Sequence, residues 1–497
     1  MSSQELRLSA EERRFFSLIN RAVFANPFSD EREALDREIA GLDSGASGRT
    51  ALDQSLQRIF HRIETMDRDG RCNIHGYTGK DRELIENSLL FEFFHRDMEQ
   101  FDQLILDQIE SGEQSLNVPF AAEAFAALRG RGFRQDDVRR YFEVVYQLRR
   151  AFFFIDRNLV GCSPLMQDVR RELWNNVFTH DLNLYNRFLW DRMEDFSTLI
   201  LGETGTGKGT AAAAIGRSGF IPFDEKRECF AESFTESFVA LNLSQFPENL
   251  IESELFGHKK GAFTGAVDDY QGVFDRCRPH GSIFLDEIGE VSIPIQIKLL
   301  QVLQEREYSP VGSHHRHRFN GRVIGATNRS LAGLRRRGRM RDDFYYRLCS
   351  DVVVVPPLRK RIQQDPRELD ELINLIIQRL LGRVSSEIRA MVRRVIDRQL
   401  GRNYPWPGNV RELEQCIRRV LLNRSYTGEI RSGGSDLLSV LTDGIREGTL
   451  EAQQLLSGYC YMQYRSCGTY EEVARRVKLD RRTVKKYIDE WESPSRV

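Results

Sequence analysis

The sequence predicts an α/β domain, a parallel sheet covered by helices, between an all-helical N-terminal region and a C-terminal pair of helices. Three observations support this fold class. Five short apolar runs are separated by helical or glycine-rich segments, which is typical of parallel strands. The residues before these runs show only helical spacing, and the last residues have the pattern helix, tight turn, helix. The runs are Leu199–Leu201, Phe238–Leu241, Ile283–Leu285, Val323–Ala326 and Val352–Val355.

Length and composition indicate a multidomain globular protein. The 497 residues suffice for about three domains, with 40% hydrophobic and 29% charged residues. A formal net charge of −1 means that any surface for nucleic acid must be local. No apolar run approaches the ~20 residues that span a bilayer. The N-terminus also lacks the apolar core of a signal peptide, so we predict a cytoplasmic protein with no membrane partner.

Cysteine and histidine patterns give no metal site. The eight cysteines are scattered without a CxxC pair, and we predict reduced thiols rather than a disulfide or zinc framework. Cys72 and His75 have the spacing of metal ligands, but there is no second pair, so an ordinary structural role is favoured. His314, His315 and His317 lie in a polar loop, where solvated side chains are favoured over a metal site.

The region before the apolar runs is predicted to be a separate helical module. Ser9 and Glu12 have the spacing of a capping box that opens one helix, and Asp30 is predicted to open another. Helical spacing extends over residues 84–109, and the glycines of residues 41–48 form the clearest break. The dense aromatic residues fit either a ligand pocket or a helix core, and the core is favoured. No motif in this region identifies a signal.

A strand, a glycine-rich turn and an Ala-rich helix follow one another from Thr198 onward, the arrangement of a phosphate-binding loop. The glycines allow backbone N–H groups to point inward, and the helix N-terminus adds a positive dipole. Lys208 is predicted to reach the β and γ phosphates. The general pattern has Ser or Thr after this lysine, whereas here Gly209 precedes Thr210. The predicted nucleotide-binding residues are Gly202, Glu203, Thr204, Gly205, Thr206, Gly207, Lys208, Gly209 and Thr210.

Polar residues follow the predicted strands at their carboxyl ends, where chemistry is expected in such sheets. Asp286 and Glu287 follow a buried run. We predict that Asp286 holds Mg²⁺ and that Glu287 orients and deprotonates the attacking water. Asn328 is predicted to polarise the γ-phosphate or position that water, the alternative being a strand-end cap. Asn242 follows the second run.

The chain resembles the bacterial enhancer-binding proteins, AAA+ ATPases that activate RNA polymerase carrying sigma-54. The resemblance covers about half of the chain, in the family's order, and GAFTGA is nearly private to the family. The motifs that carry it are GETGTGKG (Gly202–Gly209), ESELFGHKKGAFTGA (Glu252–Ala266), FLDEIGE (Phe284–Glu290), GATN (Gly325–Asn328), RDDFYYRL (Arg341–Leu348), PPLRKR (Pro356–Arg361) and WPGNVREL (Trp406–Leu413).

The resemblance implies a substrate, a partner and a ring. It implies ATP with Mg²⁺, contact with the sigma-54 RNA polymerase holoenzyme, and assembly into a ring, which we predict to be a hexamer. Asn242 matches the family's switch residue, which holds the catalytic Glu. Arg341 and Arg347 match the arginines presented to the neighbouring subunit's ATP, and Arg411 matches the lid arginine that senses the γ-phosphate. The implied sigma-54 contacts are Gly261, Ala262, Phe263, Thr264, Gly265 and Ala266, with Phe263 and Thr264 at the loop's tip.

Two departures from the family pattern qualify these expectations. The family generally has Glu after the P-loop lysine, and Gly209 stands there in this chain. Nucleotide binding should survive this change, but hydrolysis is expected to be altered. The segment before the first strand is also longer than in the family, because residues 176–197 intervene after the opening helix. We predict that this insert contacts the N-terminal module.

The end of the chain is predicted to bind double-stranded DNA. Residues 470–477 and 481–491 have the pattern of two helices joined by a tight turn, with a linker at Gly428–Gly434 before them. A plain helical hairpin is the alternative. Predicted inner-face residues are Val473, Ala474, Val477, Leu479, Val484 and Ile488. Predicted DNA contacts are Arg481, Arg482, Thr483, Lys485 and Lys486.

These predictions combine into an ATP-driven transcription activator with a helical sensor, an AAA+ motor and a DNA-binding tail. Two alternatives stay open: an ATPase that remodels another client, and a nucleotide-gated DNA-binding regulator with weak hydrolysis, which Gly209 alone supports. Predicted domain limits are 1–158 for the regulatory module, 159–355 for the AAA+ α/β part, 356–430 for the helical lid, 431–449 for a linker and 450–497 for a helix-turn-helix domain.

Overall fold

The computed structural model describes residues 6–43, 45–428, 441–442, 444–445, 448 and 450–492. Residues 1–424 form one compact unit and residues 425–497 a second. Most of the predicted linker, residues 431–449, and most of the glycine-rich stretch Gly428–Gly434 lie outside the described residues. Within the described residues, no helix is long and apolar enough to cross a membrane.

A five-stranded parallel sheet is the centre of the first unit, and each predicted apolar run forms one of its strands. The strands of the chain are β1 (Thr198–Leu201), β2 (Phe223–Asp224), β3 (Cys229–Phe230), β4 (Phe238–Asn242), β5 (Ser282–Asp286), β6 (Glu307–Tyr308), β7 (His317–Arg318), β8 (Arg322–Thr327) and β9 (Asp351–Val354). The sheet has the order β4-β5-β8-β1-β9, and its pairings are parallel. The carboxyl ends of its strands therefore meet at one edge.

Eight α-helices of the described residues begin before the insert that leads into the sheet. They are α1 (Ala10–Phe24), α2 (Asp30–Ala40), α3 (Gly48–Arg68), α4 (Gly79–Arg96), α5 (Met98–Ser111), α6 (Ala121–Gly130), α7 (Gln135–Asn158) and α8 (Pro164–Phe178). The capping box of α1 is confirmed: the Ser9 hydroxyl accepts from the Glu12 N–H, and the Glu12 carboxylate accepts from the Ser9 N–H. Helix α2 begins at Asp30 as expected, although Ser29 caps it. The predicted helical stretch 84–109 is two helices that meet at Asp97.

The remaining helices of the first unit cover the sheet or form the lid. They are α9 (Leu182–Leu184), α10 (Lys208–Gly216), α11 (Glu248–Phe256), α12 (Val273–Arg276), α13 (Ile293–Glu305), α14 (Leu331–Arg336), α15 (Asp342–Leu348), α16 (Leu358–Gln364), α17 (Arg367–Leu381), α18 (Ser386–Gln399) and α19 (Asn409–Asn423). Hairpins β2–β3 and β6–β7 are antiparallel and lie outside the central sheet.

The predicted N-terminal module, residues 1–158, packs closely against the α/β domain, and its limits as a domain stay a prediction. Helices α1–α8 share one hydrophobic core with α10, the hairpin β2–β3 and four strands of the sheet, β1, β5, β8 and β9. Phe142 of α7, for example, stacks on Phe230 of the hairpin with ring centroids 5.9 Å apart. Aromatic residues that were expected to form a core inside the module thus also form its joint with the α/β domain.

The second unit contains three described helices: α20 (Ala452–Cys467), α21 (Tyr470–Val477) and α22 (Arg481–Glu492). Cys460 of α20 and Val473 of α21 are buried against Val484 and Ile488 of α22. Ala474, Val477 and Leu479 pack against this core, as the sequence predicted. Helix α20, which was not predicted, supplies the third side of this small core.

Candidate active site

The turn between β1 and α10 has the shape of a phosphate-binding loop. Gly205 and Gly207 have φ values of +80° and +106°, a region that favours glycine. Helix α10 begins at Lys208, whose ammonium donates to the carbonyls of Gly202 and Glu203 at 3.0 and 3.3 Å. The lysine therefore lies in the curl of the loop at a helix N-terminus, where partial positive charge favours anions.

Gly209 leaves open space at the first turn of α10. The residue is exposed, and a Cβ built on it would meet only the ring of Phe284, at 3.8 Å. This is ordinary van der Waals contact. The absence of a side chain at this position is therefore not required by packing. Thr210 follows in the same helical turn and is partly exposed.

The lid contacts the phosphate-binding loop directly. Asn409 donates from its side chain to the Thr204 carbonyl at 3.0 Å, and the Val410 N–H donates to the Gly205 carbonyl at 3.0 Å. A Cβ on Gly205 would lie 2.3 Å from the Gly408 carbonyl oxygen, so only glycine permits this approach. Arg411, in the first turn of the lid helix α19, is exposed.

An ion pair reinforces this contact between lid and loop. Glu203 accepts from the Arg359 guanidinium at 2.8 Å and from the Asn409 side chain at 3.3 Å. The hydrogen bonds from Arg359 are the main cause of the lowered pKa of Glu203. Because Glu203 is bonded to two parts of the lid, its position depends on the orientation of the lid.

The carboxyl ends of β5 and β8 bring the predicted catalytic residues beside this loop. Glu287 accepts from the Asn328 N–H at 3.4 Å, and the Asn328 side chain donates to the Thr204 hydroxyl at 3.0 Å. These bonds link the carboxylate, the asparagine and the phosphate-binding loop. Glu287 has φ +57°, a strained value for a residue with a side chain, and such strain is concentrated at functional sites.

Asp286 fits the role of a magnesium ligand. Its carboxylate is partly exposed at the end of β5, where Oδ1 accepts from the Glu287 N–H at 3.0 Å. Among the described residues, no group of three His, Cys, Asp or Glu side chains forms a metal site. Mg²⁺ is commonly held by one or two carboxylates together with substrate phosphates, so this donor set suits magnesium rather than zinc.

Asn242 lies beside these residues but does not contact Glu287. It pairs with Asp286 in the register of β4 and β5, whereas its side-chain oxygen accepts from the N–H and hydroxyl of Ser244 at 3.0 and 2.7 Å. The structure thus places Asn242 at the correct sheet edge. The implied contact between Asn242 and the catalytic Glu is not present in this conformation.

The two predicted finger arginines lie away from their own chain's site. Arg341 caps the N-terminus of α15 and pairs with Asp343 at 2.7 Å. Arg347, at the last turn of α15, donates to the Leu303 carbonyl at 2.8 Å. Within the described residues, neither guanidinium contacts the phosphate-binding loop, the carboxylates of β5 or Asn328.

Residues 261–266 form a loop with a closed base, exposed except at Ala262, which is partly exposed, and Ala266, which is buried. The Gly261 N–H donates to the Ala266 carbonyl at 2.8 Å, and Lys259 pairs with Asp269 at 2.7 Å just outside the loop. Phe263 remains 37% exposed although its ring edge rests on His258, with centroids 4.9 Å apart. Thr264 is exposed beside it, so both predicted tip residues are accessible.

A set of buried polar contacts that the sequence did not predict joins α7 to the C-terminal end of α10. The side chain of Arg150 is fully buried and donates to the carbonyls of Arg217 and Gly219 at 2.8 and 2.6 Å. Gln147 donates to the Ser218 carbonyl at 3.0 Å. Burial lowers the pKa of Arg150 to about 10. Two adjacent arginines, Arg149 and Arg150, inside an aromatic helix were the available signal.

The insert before β1 also contacts α7, as predicted. The Tyr185 hydroxyl donates to the Gln147 side chain at 2.8 Å. The Arg140 guanidinium lies over the ring of Trp190, 5.0 Å from its centroid. Residues of the insert therefore pack between the N-terminal helices and the α/β domain.

The predicted DNA contacts lie at the start of α22, opposite its buried face. Asp480 caps this helix, accepting from the N–H groups of Arg482 and Thr483 at 2.9 and 3.0 Å. Arg481 pairs with Glu471 at 2.9 Å, and Lys486 lies 3.7 Å from Glu490. Within the described residues, Arg482 and Lys485 make no ion pair, and both are exposed.

Comparison with known proteins gives matches over the central part of the chain. A family model of the sigma-54 interaction domain matches residues 184–354, and one of the AAA+ ATPase lid domain matches residues 367–433. The DNA-binding transcriptional regulator NtrC of Azospirillum brasilense is 38% identical over 265 residues, which are 53% of this chain and 47% of that protein. The Nif-specific regulatory protein of Azotobacter vinelandii is 43% identical over 223 residues, 45% and 39% of the two chains. The chain thus spans less than half the length of these relatives.

Solved structures give a weaker similarity. NtrX from Brucella abortus in complex with ATP is 18% identical, with 73% of this chain and 76% of that chain covered and a TM-score of 0.40. The similarity to known proteins therefore rests on the sequence matches.

Proposed function

The central part of this chain, residues 184–354 and 367–433, belongs to the sigma-54-dependent activators, and from this premise we propose that the protein is an ATP-hydrolysing activator of transcription. It binds upstream DNA and remodels the closed complex of sigma-54 RNA polymerase. One observation carries the proposal: Lys208, Glu287 and Asn328 meet at one sheet edge in a chain that also exposes the GAFTGA loop. Action on RNA polymerase places the protein in the cytoplasm.

ATP is the substrate, bound at the N-terminus of α10. Backbone N–H groups of residues 202–210 and the Lys208 ammonium hold its phosphates. Asp286 would hold Mg²⁺, which would supply positive charge to the phosphate oxygens. Glu287 orients and deprotonates the attacking water, and Asn328 positions that water or polarises the γ-phosphate. Two hydrogen bonds support these roles: the Asn328 N–H donates to the Glu287 carboxylate, and the Asn328 side chain donates to the Thr204 hydroxyl of the loop.

A ring, proposed as a hexamer, completes each site. Arg341 and Arg347 lie away from their own chain's phosphate-binding loop, which suits arginines that stabilise charge at a neighbouring subunit's ATP. Arg411 of the lid senses the γ-phosphate. Its position supports this role, because α19 begins with two hydrogen bonds to the loop.

Complementation between inactive variants tests this arrangement. Glu287→Gln and Arg341→Ala should each abolish hydrolysis, and an equimolar mixture should recover it, because a Glu287→Gln subunit donates its arginine to an Arg341→Ala neighbour. A mixture of Lys208→Ala with Glu287→Gln is the control, since both defects lie in the subunit's own site. The ring is contradicted if ATP hydrolysis recovers only in the control mixture. It is also contradicted if the specific ATPase activity does not depend on protein concentration.

The exposed loop 261–266 contacts sigma-54. Its glycines and its closed base make a small projection with one aromatic side chain, and aromatic anchors are favoured at interfaces. Work on the polymerase requires that contacts at Phe263 and Thr264 differ between nucleotide states. Thr264→Ala should therefore abolish transcription activation while ATP hydrolysis stays within a few-fold of wild type. If the Thr264→Ala variant still activates transcription, the assignment of the loop to sigma-54 is wrong, and remodelling of another protein is favoured.

The C-terminal helices bind double-stranded DNA as a helix-turn-helix. Arg482 and Lys485 are exposed and make no ion pair within the described part of the chain, which supports contacts with phosphates from the start of α22. Thr483 and Arg481 lie at the same helix start, where they can reach base edges. Lys486 extends the same face. A double change of Arg482 and Lys485 to Ala should weaken binding of operator and random DNA alike and reduce its salt dependence. Glu471→Gln, which frees Arg481, is the matched control and should not weaken binding.

The N-terminal helices regulate the motor through the end of α10. Arg150 and Gln147 bind three consecutive carbonyls at the C-terminal end of the helix whose N-terminus binds phosphate. A signal that moves α7 thereby moves the nucleotide site. A nucleotide-gated DNA-binding regulator is the second candidate, favoured by Gly209. It requires bound ATP without hydrolysis in wild-type protein at every concentration.

A further inference from the structure

A cavity of about 630 Å³ lies between α7 and the α/β domain. Its lining comes from α7, from the insert before β1, and from the segments that follow α10 and lead into β5 and β8. Ser282 and Arg322, the first residues of β5 and β8, are part of it. The cavity is therefore at the amino edge of the sheet, opposite Asp286 and Asn328. Its volume lies within the range of small-molecule sites.

One charged group of this cavity is the carboxylate of Glu143 on α7. The residue is only 7% exposed. Its Oε1 accepts from the Phe223 N–H at 2.8 Å, whereas Oε2 has no hydrogen-bond partner among the described residues. The cation that pairs with it, Arg139, stays 3.9 Å away and is half exposed. Burial raises the pKa of Glu143, because this weak pairing does not compensate the lost hydration.

The buried cation of the lining is Arg322, which is also 7% exposed, whereas the other ionisable side chains of the lining, Arg139, Asp191, Glu194 and His280, are at least partly exposed. The Arg322 Nε donates to the Phe196 carbonyl at 2.9 Å, and its Nη2 donates to neutral oxygens of Asn176 and Thr198. Within the described part of the chain, Nη1 has no hydrogen-bond partner and no carboxylate forms an ion pair with this arginine. Burial lowers the pKa of Arg322 to about 10.

Two buried, opposite charges line one cavity, and among the described residues neither has a counterion closer than 3.9 Å, which is costly for the folded protein. Such uncompensated groups are concentrated at functional sites. The cavity also offers an apolar wall, where Trp190 and Phe220 make an edge contact with centroids 4.7 Å apart. A ligand that neutralises both charges and covers this wall would remove the cost.

We propose that this cavity binds a small zwitterion of the α-amino-acid type, with its ammonium at Glu143, its carboxylate at Arg322 and its side chain against Trp190 and Phe220. A ligand with only one charge leaves either Arg322 or Glu143 uncompensated. As a regulator, this ligand rests on the proposed function. Ser218 and Gly219, whose carbonyls α7 holds, also line the cavity, so an occupant contacts the joint between α7 and α10.

Thermal unfolding of the full-length protein tests the site without ATP, so its outcome is separate from that of the proposed hydrolysis. Each proteinogenic amino acid is added alone at millimolar concentration. At least one should raise the Tm by a few degrees, because a ligand that binds only the folded state stabilises it. Acetate and methylamine, each carrying one of the two charges, should give little shift even when mixed.

Variants of the lining assign the shift to this cavity. Glu143→Gln should abolish it, since the amide keeps the hydrogen bond to Phe223 but loses the charge. Glu225→Gln, the same change on the exposed β2–β3 turn, should keep it. Trp190→Leu, at a partly buried position, should weaken the apparent affinity for the amino acid several-fold. This variant replaces Glu143→Gln in the test if Glu143→Gln does not fold. The proposal is overturned if no amino acid raises the Tm, if acetate or methylamine alone gives the full shift, or if Glu143→Gln or Trp190→Leu retains wild-type affinity.

Discussion

The two ends of α10 have opposite environments. At its N-terminal end, Lys208 and two left-handed glycines leave a polar, partly exposed loop, and the contacts come from the lid. At its C-terminal end, three consecutive carbonyls from Arg217 to Gly219 are held by buried side chains of α7. The N-terminal end is accessible to a ligand, whereas the C-terminal end packs in a hydrophobic core.

This difference shows how regulation can reach the nucleotide. A nine-residue helix is rigid over its length of about 14 Å, so its two ends move together. Binding of phosphate at one end and docking of α7 at the other are therefore linked, and the linkage is reciprocal. Changes at the exposed end should affect chemistry and leave folding intact, whereas changes at the buried end should affect both.

The largest expected effect comes from the exposed end. Lys208→Ala should lower kcat/KM for ATP by a factor of about 10² to 10³, because a cation at the transferring phosphoryl group is lost. Phosphate release under steady-state conditions measures it. Lys226→Ala, an exposed lysine on the β2–β3 turn, is the control and should hydrolyse ATP normally. Hydrolysis by Lys208→Ala within a factor of ten of wild type contradicts the assignment of this end.

The buried end should respond in stability first. Arg150→Met leaves two carbonyls without donors and should lower the free energy of unfolding by about 2 kcal/mol. Relief of the buried charge offsets part of the larger cost. Urea unfolding measures this, and the KM for ATP should change in parallel. Arg157→Met, on the same helix but half exposed, should cost less than about 0.5 kcal/mol. If Arg150→Met and Arg157→Met lower the free energy of unfolding equally, the buried contacts at the C-terminal end of α10 have no special role in stability.

The stability of the N-terminal helices can be tested at acid pH, separately from the nucleotide site. Hydrogen bonds from Arg71 lower the pKa of Glu12 from 4.5 to about 2, so its contribution is fully present above pH 4.5 and is lost as pH falls toward 2. The difference in unfolding free energy between wild type and Glu12→Gln should narrow by about 1 kcal/mol from pH 5 to pH 3.5. Urea titrations at both pH values measure it. A constant difference contradicts this role of the ion pair with Arg71.

The smallest effect is expected at Gly209. Gly209→Glu adds a side chain where space is open, so stability should be unchanged or higher by about 0.5 kcal/mol. Its carboxylate should change kcat by less than about tenfold, since a single charge near the phosphates alters the barrier modestly. Gly209→Ala separates the helix effect from the charge. Loss of folding in either variant would contradict the open space at this turn.

Sequence reasoning predicted what depends on local pattern. The five strands, the phosphate-binding loop and the buried face of α22 follow from spacing and glycine chemistry, and the structure confirms each. Glu287 and Asn328 were placed correctly because parallel strands share one carboxyl edge. The roles of these residues in catalysis stay predictions.

Long-range contacts account for what was missed. The aromatic face of α7 has the same pattern whether it packs within its own module or against β2–β3, so the single shared core was not predictable. Asn242 was expected at Glu287, yet Ser244 competes for its side chain from two residues away. Helix α20 lacks a strong apolar period and was not assigned. The contacts of Arg150 could not be predicted, because its partners are backbone carbonyls, which no side-chain pattern marks.

That choice of partners has a consequence for protein engineering. Arg150 and Gln147 recognise main-chain oxygens, which every amino acid carries, so the identity of Arg217, Ser218 and Gly219 matters little to these three bonds. The side chains of residues 217–219 can therefore vary at this joint while α7 keeps its three hydrogen bonds. A chimaera that joins residues 1–158 to the motor of a relative would keep this attachment wherever the relative's chain follows the same path after its phosphate-binding helix.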